Sequence, residues 1–267
     1  MGAVQKKYVV CNINFQNASY KNEAFKFVGS MMKKILIRII SGVLPNRNLR
    51  HYVRNCLTVG FGKTHNRGKN NKIVFIDARG RRHFMRRLPG WNINFRGDNN
   101  YIELHGNLTN IQVNIKMYGN SKAVIRNKYI ASEKKFNVSG MENCVLDIGD
   151  NLLTDGSFNI VFSANTKITI GDGCMIADSV YIRTGDGHSI LSKNGKVINP
   201  NADVFIGNRV WIGDGACVLK GTHISDNSIV GARSLVNKKF TEKNVIIAGI
   251  PAKVIKSGID WSQQSVI

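Results

Sequence analysis

Acidic residues are scarce at one end of this 267-residue chain. Residues 1–96 contain only Glu23 and Asp77 against 20 lysines and arginines, whereas residues 97–267 contain 15 acids against 18 bases. Of the formal net charge of +21, the first third therefore carries +18 and the remainder +3. A field this one-sided speeds the encounter with polyanions and anionic membrane surfaces. The plainer alternative is a solvated surface. The five cysteines (Cys11, Cys56, Cys144, Cys174 and Cys217) form no C-x-x-C pair. Their odd number and spacing point to neither a disulfide framework nor a zinc ribbon. The last three fall within hydrophobic repeats, where a free thiol acts as a small core residue, and a reducing cytoplasm fits.

Long apolar runs are missing too. The first 20 residues hold no apolar stretch of the kind a secretory signal needs. The run 31–44 is interrupted by Lys33, Lys34 and Arg38 and is too short to span a bilayer. It predicts an amphipathic helix stopping near Gly42 and Pro45, followed by a basic stretch at 46–55. Such a helix either packs on its own domain or a partner subunit, or lies on an anionic membrane face. Neither G-x-x-x-x-G-K-[ST] nor G-x-G-x-x-G occurs, so neither nucleotide fingerprint is present. The histidines show no paired ligand spacing, so no metal is expected. The stacking motifs of RNA-binding folds are absent, so no nucleic acid partner is expected.

What the sequence does have is a beat of six. Ile170, Ile176 and Ile182 recur at this interval, and so do Ile206, Ile212, Val218, Ile224, Val230 and Val236. A helix would repeat at three and four, and a lone strand at two. Six suits a triangular coil of three short strands and three tight turns, 18 residues per coil, with each apolar residue stacked on its equivalent in the next coil. A looser repeat precedes it. The triplets Ile102-Glu103-Leu104, Val124-Ile125-Arg126, Leu146-Asp147-Ile148 and Ile168-Thr169-Ile170 are spaced 22 residues apart, each after a polar turn. The expected fold is mainly β, a parallel β-helix over residues 73–256. A basic, partly helical extension (1–72) precedes it and a tail (257–267) follows. The beat breaks once, between Ile182 and Ile206, where a polar, glycine-rich segment predicts a loop extruded over 183–205. Binding residues collect in such insertions, and His188 is the histidine there.

Four segments carry a family resemblance: Asp186-Gly187-His188-Ser189-Ile190, Val210-Trp211-Ile212-Gly213, Gly231-Ala232-Arg233-Ser234 and Pro251-Ala252-Lys253. They resemble the hexapeptide-repeat acetyltransferases of left-handed β-helix fold, nearest to bacterial O-acetyltransferases of capsule and other surface polysaccharides, including those acting on polysialic acid. The match is strong over residues 168–256. The resemblance implies transfer of acetyl from acetyl-CoA to a sugar hydroxyl. His188 would be the base, since a neutral imidazole accepts a proton near pH 7. Asp186 would either orient that ring or only shape the turn. Trp211 would flank the acceptor or the thioester, and a backbone N–H within 211–214 would hold the oxyanion.

The resemblance places the CoA arm between two subunits of a homotrimer, along Gly213, Asp214, Ala232, Lys238 and Lys253. Family members often have Ser or Asn where Asp214 stands, so its carboxylate must point away from the oxyanion. The acceptor is expected to be an anionic glycan, with Arg183 and the cluster Arg79, Arg81, Arg82, Arg86 and Arg87 as its binding residues. The expected location is the cytoplasm, with peripheral contact at the inner membrane. An antibiotic or small-metabolite acetyltransferase on the same fold, and a basic nucleic-acid- or membrane-binding β-helix, are the competing readings.

Overall fold

A computed structural model describes residues 62–77, 79–106, 112–126 and 135–264. The expected helix and the basic stretch at 46–55 lie outside the described residues, as do Cys11 and Cys56. The described chain winds as a left-handed parallel β-helix whose strands form three sheets: a first face of eight strands, a second of nine and a third of six. Successive hexads occupy successive faces. Ile170 lies on the second face, Ile176 on the third and Ile182 on the first, and Ile206 returns to the second. Each stacks in register on its counterpart one coil away: Ile170 on Ile206, Ile176 on Ile212, Ile182 on Val218. All six are fully buried, so the period of six is the perimeter of the triangle read one side at a time. A fully buried aliphatic side chain is worth about 1.5–3 kcal/mol.

The corners explain the polar segments between strands. Asn99, Asn120, Asn143 and Asn165 all have positive φ, between 55° and 59°. Asparagine tolerates this conformation better than other residues with a side chain. Their amides also bond along the stack, Asn99 to Asn120 at 3.1 Å and Asn143 to Asn165 at 2.8 Å. A second corner device uses Asp or Asn to accept a backbone N–H from the preceding coil. Asp172 Oδ1 accepts from Asp150, Asn208 Oδ1 from Asp172, and Asp226 Oδ1 from Asn208, at 2.7–2.9 Å.

One boundary and one register differ from the sequence reading. The first sheet includes Lys63–Asn66, which pairs with Trp91–Phe95, so strand structure begins ten residues before the expected start at 73. This edge strand, KTHN, is mostly exposed and carries no apolar beat. In the looser repeat, the residues stacked on Ile102 and Leu104 are Ala123 and Ile125, not Val124 and Arg126. The coil before them is one residue short and the next one residue long, so the 22-residue spacing misses the register there. At the other end, Val245–Gly249 and Ala252–Ser257 close the stack as an antiparallel hairpin. Among the described residues, no helix is long and apolar enough to cross a membrane.

Candidate active site

The chain leaves the coil after Tyr181–Arg183 and rejoins it at Val204–Ile206, so residues 184–203 form the extruded loop at the corner between the first and second faces. Its root is buried. The Thr184 hydroxyl lies 2.7 Å from that of Thr166 and accepts the Ser163 N–H at 2.8 Å. Its tip is a small antiparallel turn in which Leu191 bridges Val197 and the Ile198 N–H donates to Ile190. All four apolar side chains there are exposed.

Asp186 and His188 sit on the loop's first arm, both exposed. The Asp186 carboxylate is held by Lys220 and Asn199. Lys220 Nζ, from the same corner one coil later, donates to its Oδ2 at 2.6 Å, and Asn199 Nδ2 donates to the same oxygen at 2.8 Å. Lys220, then Asn199, hold this carboxyl below the usual aspartate range. Asn199 also donates to the His188 carbonyl at 2.9 Å, and Lys220 to the Asn199 carbonyl at 2.9 Å. Four hydrogen bonds thus fix the arm that carries Asp186 and His188. Sequence reading missed Lys220 and Asn199. The only signal for Lys220 was a lysine at a corner of a hexad otherwise closed by Gly221. Arg183, at the loop root, donates from Nε to the Gly185 carbonyl and lies 5.9 Å from the centre of the Tyr181 ring.

Trp211 opens a strand of the third face and is 36% exposed. It therefore stands one corner farther round the coil than the loop. The tail, expected only as a terminus, folds back onto it. Trp261 lies 6.1 Å from Trp211 between ring centres, its indole N–H donates to the Arg209 carbonyl at 2.8 Å, and Asp260 pairs with Arg209 at 3.0 Å.

The residues named for CoA divide. Gly213 and Ala232 face each other across adjacent coils, and a Cβ on Gly213 would come within 2.8 Å of the Ala232 nitrogen, so close backbone packing alone demands glycine. The Trp211 and Gly213 amides donate to the Ser228 and Val230 carbonyls at 2.9 and 2.8 Å. That corrects the oxyanion expectation for these two, because the coil ladder already uses them. Asp214 Oδ1 accepts the Asp178 N–H at 3.0 Å, which aims its carboxylate along the corner stack. Lys238 and Lys253 are exposed, with Lys238 Nζ 5.3 Å from the centre of the Phe240 ring.

The arginine cluster stands apart. Arg81 pairs with Asp77 at 2.9 Å and Arg82 donates to the Tyr101 hydroxyl at 2.7 Å. Arg82 belongs to the edge strand Arg82–Phe84, and Arg79, Arg86 and Arg87 are exposed around it. Six strand intervals separate that edge from Val204–Ile206, where the loop ends. At about 4.8 Å each, this is roughly 29 Å. Among the described residues, no group of three or more His, Cys, Asp or Glu gathers as a metal site.

Among the described residues, a left-handed hexapeptide coil carries an extruded loop that exposes His188. The chain is 36% identical over 172 residues to a polysialic acid O-acetyltransferase of Neisseria meningitidis, covering 63% of this chain and 78% of that protein. It is 32% identical over 161 residues to the putative lipopolysaccharide biosynthesis O-acetyl transferase WbbJ of Escherichia coli K12, covering 52% and 80%. The crystal structure of the polysialic acid O-acetyltransferase OatWY superposes with a TM-score of 0.58 at 28% identity, over 77% of this chain and 92% of that one. No family model matches. The chain belongs to the hexapeptide-repeat O-acetyltransferases, close to those of capsule polysaccharide, and it is an acetyltransferase.

Proposed function

We propose that this protein transfers the acetyl group of acetyl-CoA to a hydroxyl of an anionic bacterial surface polysaccharide, such as a sialic-acid-containing capsule, with His188 as general base. The observation that carries the reading is the braced loop arm, in which Asp186, Asn199 and Lys220 present an exposed His188. The imidazole takes the proton of the acceptor hydroxyl as its oxygen attacks the thioester carbonyl. The tetrahedral intermediate then collapses, the carbon–sulfur bond breaks, and the proton passes from His188 to the departing thiolate. Positioning the base is worth roughly 10²–10⁴ in rate.

The assembly we propose is a homotrimer. His188 projects on the loop at the corner between the first and second faces, whereas Trp211 lies on a strand of the third face. A closed three-fold arrangement sets that corner of one subunit beside the third face of the next, joining the two in one cleft. The CoA arm runs there past Ala232, Lys238 and Lys253. The acceptor is a polymer in this reading because the arginine cluster lies about 29 Å from the loop, a span that only a chain of sugars bridges. Both relatives above are, by name, enzymes of polysaccharides. We place the protein in the cytoplasm.

The test is thiol release from acetyl-CoA with polysialic acid, a neutral disaccharide, an aminoglycoside or no acceptor. Release with the polysaccharide alone supports the proposal. Release with the small acceptors alone favours a small-metabolite acetyltransferase, and none with any acceptor overturns the sialic-acid-type acceptor.

A further inference from the structure

A hollow of about 340 Å³ lies away from the loop, on the outer side of the first face over its early coils. Its floor is a row of amides. Asn92 Nδ2 donates to Asn114 Oδ1 at 2.9 Å, Asn114 to Asn137 at 2.8 Å, and Asn137 to Asn159 at 3.0 Å. An amide has two donor hydrogens and an oxygen with two lone pairs. Each inner rung therefore keeps one N–H and one lone pair for another partner. A second outward row runs beside the first, with Asn94, Lys116 and Ser139 in register. The Asn94 Oδ1 is buried there without a hydrogen-bond partner. Such an atom is costly unless a donor arrives.

Both rows lead to the loop. Asn159 is in register with Tyr181, and Val161 with Arg183, whose guanidinium bonds the loop's Gly185 carbonyl. From Asn92 to Tyr181 is four strand intervals, about 19 Å. The charged groups along these rows are Lys63, in register with Asn92, Lys116 and Arg183, with no carboxylate. On the neighbouring second face, the outward positions include Glu103 and Asp147. A purely structural role would explain the amide-to-amide bonds, as it does for the corner asparagines. It does not explain the unpartnered Asn94 oxygen, the hollow, or the cationic continuation to the loop.

We propose that these two rows form the track for an extended anionic glycan, the part of the acceptor polymer remote from the reacting sugar. Glycan hydroxyls meet the free valences of the asparagine row and of Asn94, and carboxylates meet Lys116 and Arg183. This rests on the polysaccharide reading above and deepens it by naming where the chain lies.

The experiment compares kcat/KM for long and short acceptors, using sialic acid oligomers and oligogalacturonates of graded length. Wild type should favour the long chains. The double variant Lys116→Glu with Ser139→Asp should lower the long-to-short ratio by about tenfold, since it places like charge against the polymer. Lys167→Glu, on the second face, should leave the ratio as it is. A folding or catalytic defect lowers both arms and spares the ratio. An unchanged ratio in the double variant, with the wild-type preference intact, overturns the track. So does efficient transfer with no length preference, while acetyl transfer itself stands. No transfer to any of these chains would overturn the anionic-polymer reading and the track together.

Discussion

Lys220 and Asp186 are 34 residues apart in sequence and meet at 2.6 Å, tying the root of the extruded loop to the next coil. The pair is partly exposed, so its worth to global stability is small. Its consequence is positional. Lys220→Met should lower kcat roughly tenfold or more, because small misplacements of a catalytic group are costly, while the melting temperature barely moves. Steady-state kinetics beside a thermal melt check this.

The same pair fixes a pH dependence. Asp186 has a lowered folded pKa through Lys220 and Asn199. The stabilisation of the loop is thus fully present above the ordinary aspartate value of about 3.9 and is lost as pH falls through the lower folded value. Limited proteolysis within 189–198 should stay constant from pH 8 to 5 and rise only below about pH 4. In Lys220→Met, that rise should begin at higher pH.

Gly213 separates packing from cofactor binding. Its substitution by alanine would force a Cβ to 2.8 Å from the Ala232 nitrogen, and overpacking of this kind costs about 1–3 kcal/mol. The unliganded variant should melt at lower temperature. A normal melt with only a raised acetyl-CoA KM would assign the glycine to the cofactor instead.

The core has its own probe. Burial pushes the Cys174 thiol up to about 12 and raises that of Cys144. Mass mapping after a thiol reagent at pH 8 should find both unmodified in the native protein and both modified in denaturant. Phe158→Ala, which removes one half of a buried stacked pair with Phe136 at 4.3 Å, should cost about 3–5 kcal/mol in a denaturant melt.

The regular coils were legible because each hexad puts one branched residue on one side of the triangle. Ile170 to Val236 could be assigned to faces by counting, and the 24-residue gap after Ile182 marked the loop. Earlier coils were legible only in outline. Their corners are set by asparagines with positive φ, such as Asn120, and coil length shifts by a residue around Ala123. Lys63–Asn66 has no apolar beat, so nothing in its pattern marks a strand. At the site, the motif residues pointed to the loop and to Trp211. The partners Lys220, Asn199 and Trp261 were not legible, because Asn199 acts across the loop, Lys220 from the next coil and Trp261 from the tail, at separations from 11 to 52 residues. The outer asparagine row was hidden for the same reason: Asn92, Asn114, Asn137 and Asn159 align only once register is known.

Because His188 lies on a corner loop and Trp211 on a strand of the third face, a site shared between subunits has a direct signature. His188→Ala alone should keep its melt and lose about 100-fold or more in acetyl transfer to polysialic acid, and Trp211→Ala should also be weak. Co-expressed and purified as mixed trimers, the two inactive variants should regain a substantial part of wild-type thiol release from acetyl-CoA, since some clefts pair an intact histidine with an intact tryptophan. A His188→Ala protein with turnover within a factor of two of wild type, or mixed trimers no more active than either variant alone, would contradict the account.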